Sequence, residues 1–80
     1  MKKVMKFETV NCQFCKMIEP MLKGRADAGE FELETVDAEQ QPELAEKYNI
    51  MSVPSAVIFE DGKEPIIARG VMEINKALND

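Results

Sequence analysis

Cys12 and Cys15, separated by two residues, are the side chains in this 80-residue chain best equipped for chemistry. A thiolate is both a nucleophile and a soft metal ligand, so a CxxC pair can exchange with a disulfide or bind a metal. Two thiolates cannot close a four-thiolate zinc site, and the chain contains no His to complete one. A two-coordinate copper(I) site is the metal alternative left open. With only 2 cysteines, close together, the chain does not look like a secreted domain stapled by disulfides. The expected compartment is therefore a reducing cytosol.

Position in the chain favours redox chemistry. Lys3 to Thr9, with Val4, Met5 and Phe7, reads as a strand ending at an Asn11–Cys12 turn. Phe14, Met17, Ile18, Met21 and Leu22 then recur at helical spacing. Cys12 falls at the N-terminus of that helix, where unpaired amides and the helix dipole favour a negative charge and lower the thiol pKa. Cys15, one turn later, can resolve a mixed disulfide formed at Cys12. A CxxC where a strand runs into a helix is a redox signature. Pro20 inside the helix should kink it, and Gly24 to Gly29 should mark its exit.

The remaining elements form a frame for this junction. Phe31 to Asp37 alternates, Phe31, Leu33 and Thr35 against Glu32 and Glu34, as an edge strand with one polar face does. Pro42 opens a short helix with Leu44, Ala45 and Tyr48 on one side. Ser55 to Phe59 reads as a strand, Asp61-Gly62 as a hairpin turn and Ile66 to Ala68 as the return. Gly70 breaks that strand, and Ile74, Ala77 and Leu78 mark a last helix. The order βαβαββα predicts an α/β fold with a four-stranded mixed sheet and helices on both faces, as one domain over residues 1–80.

Composition narrows the partners. A formal charge of −5 argues against nucleic-acid binding, which needs clustered Lys and Arg. No apolar run reaches membrane-span length, and Lys6 and Glu8 interrupt any signal-peptide core after Lys2 and Lys3. A monomer that meets other proteins is expected.

The chain resembles the thioredoxin family in several segments. Cys12-x-x-Cys15-Lys16-Met17-Ile18-x-Pro20-x-Leu22 is similar to the family's active-site helix. Val36-Asp37, Pro42, Ala45, Lys47-Tyr48 and Ile50 are similar to its next strand and helix. Val53-Pro54-Ser55, Val57-Ile58-Phe59 and Asp61-Gly62-Lys63 resemble its cis-proline loop and hairpin, and Gly70 its glycine after the last strand. The extra N-terminal strand and helix of full-length thioredoxins have no counterpart here, so the resemblance implies the minimal thioredoxin fold. It also implies a cis Pro54 lying against the cysteine pair, with the backbone of Val53 open to an extended substrate segment. Gln13, Phe14, Val53 and Pro54 are thus the expected substrate-binding residues. Met17 and Met51 are candidates to border an adaptable groove, whereas Met21 is expected to fill core.

Three residues depart from the family pattern. Gln13-Phe14 replaces Gly-Pro between the cysteines, Asn11 replaces the preceding tryptophan, and Lys6 stands where thioredoxins keep a buried aspartate. That aspartate helps deprotonate the second cysteine. Lys6 is expected to snorkel to the surface, the alternative being that it stabilises a nearby thiolate; Glu8 and solvent are the candidate proton acceptors for Cys15.

The activity implied is reduction of protein disulfides, Cys12 attacking and Cys15 resolving, with no cofactor bound. Electrons would come from an NADPH-dependent flavin reductase of the thioredoxin reductase type. A glutathione-dependent glutaredoxin is one rival, but Gly70 is followed by Val71 where glutaredoxins have paired glycines. A copper(I) chaperone binding through Cys12 and Cys15 is the other. Its family usually places Met where this chain has Val10, and it has no use for Val53-Pro54.

Overall fold

The computed structural model describes residues 2–79. Strand β1 (Lys2–Glu8) leads into helix α1 (Gln13–Asp27), followed by β2 (Glu32–Asp37), α2 (Pro42–Lys47), β3 (Ser55–Glu60), β4 (Ile66–Arg69) and α3 (Gly70–Asn79). The sheet order is β2-β1-β3-β4. β1 runs parallel to β2 and antiparallel to β3, and β3 pairs antiparallel with β4. This is the four-stranded mixed α/β architecture that the element order predicts, and it matches the minimal thioredoxin fold that the resemblance implies.

Alternation along the strands divides the core between two faces. Val4, Ile58 and Ala56 pack with Ile18 and Leu22 of α1 and Ile74 and Leu78 of α3. On the other face Met5, Phe7, Val57 and Val36 meet Ala45 of α2. β1 and β3 are central and apolar on both sides, so their apolar residues run on without a polar gap apart from Lys6. β2 lies at an edge, where exposed Glu32 and Glu34 discourage further pairing. Glu34 accepts a 2.9 Å ion pair from Lys3 on β1, and this hydrogen bond and charge raise the Lys3 pKa.

Two boundaries differ from the sequence reading. Helix α1 continues through Gly24 and ends at Asp27. It closes with Gly29 N–H donating to Ala26 O and Glu30 N–H to Arg25 O, an arrangement that needs the positive φ of Gly29. Gly24 has a helical cost of about 1 kcal/mol relative to Ala, and packing of Ala26 on the core helps offset it. The β3–β4 connection is also longer than a two-residue turn, spanning residues 61–65. Pro65 has no N–H to give the ladder, so pairing starts only at Ile66, opposite Ile58.

Candidate active site

Cys12 occupies the N-cap of α1, and its Sγ accepts a 3.1 Å hydrogen bond from Cys15 N–H. The two cysteines form a disulfide with their Cα atoms 5.3 Å apart. Cys12 is half-buried, whereas Cys15 is only 1% exposed, among the core residues. A reagent from solvent therefore meets the first sulfur, and the second is shielded behind it. The first turn of α1 carries no carboxylate, and the helix amides there favour a negative charge at Cys12.

A second element reaches this point from far along the chain. After α2, Asn49 adopts a positive φ of 59°, while Asn49 N–H bonds to Glu46 O and Ile50 N–H to Ala45 O at 2.7 Å. This closure ends the helix and sends the chain toward residues 51–54. The Val53–Pro54 peptide is cis. Its loop is tied on three sides: Ser55 Oγ donates to Ser52 O at 2.8 Å, Gly70 N–H to Pro54 O at 2.8 Å, and the Arg69 guanidinium to Asn49 O at 3.2 Å. Gly70 makes its bond with a φ of 86°, a conformation other residues adopt only with strain. Among the described residues, the backbone of Val53 enters no hydrogen bond, so it is open to an added strand.

Three of the four expected substrate-binding residues come together here. Phe14, Val53 and Pro54 line one open groove of about 520 Å³, completed by Arg69, Gly70 and Met72 among others. Gln13 is exposed but does not line it. Met17, 67% exposed, lines neither this groove nor the one beyond Val53. Met51 borders that second groove, of about 480 Å³, together with Ala45, Glu46 and Val53. Met21 packs against the core as expected.

Lys6 contradicts the expectation that it snorkels. It is 0% exposed, and its Nζ donates to Cys15 O at 3.2 Å and pairs with Glu8 Oε1 at 2.7 Å. Lys6 shares a sheet face with Val4, under α1, and a central strand cannot lead its side chain to solvent. Both contacts give the buried ammonium partners, and no buried side-chain polar atom among the described residues is left without one. Among the described residues, no group of three or more His, Cys, Asp or Glu is arranged to hold a metal ion. Nor is any helix among them long and apolar enough to cross a membrane.

The thioredoxin family model matches residues 1–80. The chain belongs to the thioredoxin family. A thioredoxin of Staphylococcus epidermidis is 36% identical over 66 residues, covering 80% of this chain and 62% of that protein. A Staphylococcus aureus thioredoxin is 37% identical over 54 residues, covering 65% and 52% respectively. The chain thus spans under two thirds of the length of these relatives. Among solved structures, Fasciola hepatica thioredoxin superposes with a TM-score of 0.81 at 27% identity, over 98% of this chain and 78% of that one. A thioredoxin variant from Halobacterium salinarum reaches 0.84 at 23% identity, over 98% and 69%, which supports the fold alone.

Within this thioredoxin frame, the sequence reading missed Met72 and Arg69. Met72 carried a signal, because it is apolar yet out of phase with Ile74 and Leu78, the buried face of α3. It is 85% exposed beside the groove. Arg69 carried none, since its partner is a backbone carbonyl 20 residues away.

Proposed function

We propose that this chain reduces protein disulfides by dithiol exchange. Cys12 thiolate attacks a substrate disulfide, forming a Cys12–substrate bond and expelling one substrate thiolate, which takes up a proton. Cys15 then attacks Cys12 Sγ, the Cys12–substrate bond breaks, and the second substrate thiolate leaves. Two electrons have moved to the substrate, and the Cys12–Cys15 disulfide remains. The observation that carries this reading is the asymmetry of the pair: Cys12 half-exposed at the helix N-cap, Cys15 shielded beneath it. The substrate would lie along Val53 and Pro54, with Phe14 against it.

An NADPH-dependent flavin reductase of the thioredoxin reductase type would return the dithiol, and the chain would act as a cytoplasmic monomer of one domain. Reduction of insulin disulfides tests this, supplied in turn with thioredoxin reductase plus NADPH, with glutathione, and after copper(I) loading. Turnover with the reductase is expected. Turnover only with glutathione would assign the chain a glutaredoxin activity. Tight copper(I) binding with no turnover under any donor would overturn the enzymatic reading.

A further inference from the structure

A buried lysine bonded to the backbone of the second cysteine is the least expected feature of this molecule. Lys6 is fully enclosed, whereas the side chain of its ion-pair partner Glu8 is 30% exposed. Water and salt can screen the carboxylate but not the ammonium, so the pair does not act on its surroundings as a neutral unit. The buried positive end is the one attached to Cys15, through the carbonyl 3.2 Å from Nζ. The other groups around it leave that charge standing. β3 places Ala56 opposite Lys6, and β2 places Thr35. Asp37, facing Glu8 on β2, is turned to the backbone amides of Glu39 and Gln40. On α1, Glu19 pairs with Lys23 at 3.9 Å.

We propose that Lys6 is a positioning residue that favours the thiolate of Cys15 and so speeds the resolving step, with its reach set by Glu8. The inference rests on the dithiol-exchange reading above. In a buried apolar setting the Cys15 thiol would hold its proton, and a nearby positive charge opposes that tendency. Lys6 does so electrostatically, by stabilising the charged product of deprotonation, and the proton itself passes to solvent. Thioredoxins with a carboxylate at this position face the same step with the opposite charge. The bond to Cys15 O also fixes the ammonium relative to the first turn of α1.

Reaction of the reduced protein with 5,5′-dithiobis(2-nitrobenzoate) separates the two steps. Attack by Cys12 breaks the probe's disulfide and releases one thionitrobenzoate. Attack by Cys15 on Cys12 Sγ then releases the second and leaves the Cys12–Cys15 disulfide. Stopped-flow absorbance follows a second-order phase and then a first-order phase. In Lys6→Met, which keeps the length of the side chain without its charge, the second phase is expected to slow about tenfold at pH 7. Its pH midpoint should rise by about one unit, as that factor requires. The first phase should stay within about threefold. Glu8→Gln, which keeps the ammonium and removes its partner, should lower the midpoint. A purely structural ion pair would leave the midpoint in place in both variants. An unchanged second phase in Lys6→Met, with wild-type midpoint, would overturn the proposal. Should Lys6→Met not fold, Glu8→Gln decides alone: a lower midpoint supports the proposal, and an unchanged or higher one overturns it. Absence of a second phase in the wild type would instead defeat the dithiol-exchange reading itself.

Discussion

Chemistry at Cys12 depends on where its sulfur sits more than on what it is. The N-cap position gives it the amide of Cys15 as a hydrogen-bond donor and the open end of α1 as an electrostatic partner. Two exposed apolar side chains, Phe14 at 60% and Met72 at 85%, flank the groove beside it from different helices. Neither supports the core, and the proposed dithiol exchange gives both a use as apolar contacts for a protein substrate. Met72→Ser is accordingly expected to raise KM for a protein disulfide about three- to tenfold while kcat holds, because apolar contact is lost equally in ground and transition states. Steady-state insulin reduction would show it, and a drop in kcat at constant KM would count against a docking role. The cysteines were readable in the sequence from their type, spacing and place where a strand runs into a helix, and Pro54 from the resemblance of Val53-Pro54-Ser55 to the thioredoxin cis-proline loop. The environment of Lys6 was not, since the reading set a lysine's usual tendency to snorkel against an uncommon burial.

Elements do the positioning. α1 carries both cysteines, and its place is fixed by Ile18 and Leu22 on the sheet and by Arg25 at its far end. Arg25 bonds to Asn79 Oδ1 at 3.0 Å and Leu78 O at 2.9 Å, which ties α1 to α3. Leu22 is 0% exposed at the centre of this packing. Leu22→Ala should therefore cost about 2–5 kcal/mol in denaturant unfolding, the range for emptied core sites. A loss under about 1 kcal/mol would show that α1 is held mainly by other contacts. Pattern revealed the elements: apolar residues recur at helical spacing in the helices, β2 alternates, and β3 and β4 are short apolar runs. It failed at two ends for local reasons. At Gly24 the helix has core contacts still to make, and at Pro65 the ladder lacks a donor.

At the scale of the molecule, the sheet brings two distant segments to one rim. The end of β1 delivers Cys12 through the turn at Val10–Asn11, and the start of β3 delivers Pro54, because β1 and β3 are antiparallel neighbours with Phe7 opposite Ser55. α3 begins at the same rim, where Gly70 bonds to Pro54 O and Met72 joins the groove. The topology was legible from element order and its resemblance to thioredoxins. The α3 side of the groove was not, because it depends on how the β4–α3 junction docks on the proline loop. The central claim is that Cys12 attacks and Cys15 resolves, and trapping tests it most directly. Cys15→Ser incubated with a disulfide-containing protein should accumulate a mixed disulfide through Cys12, visible by mass spectrometry and reversed by dithiothreitol. Cys12→Ser should trap nothing, and a mixed disulfide formed through Cys15 would contradict the account.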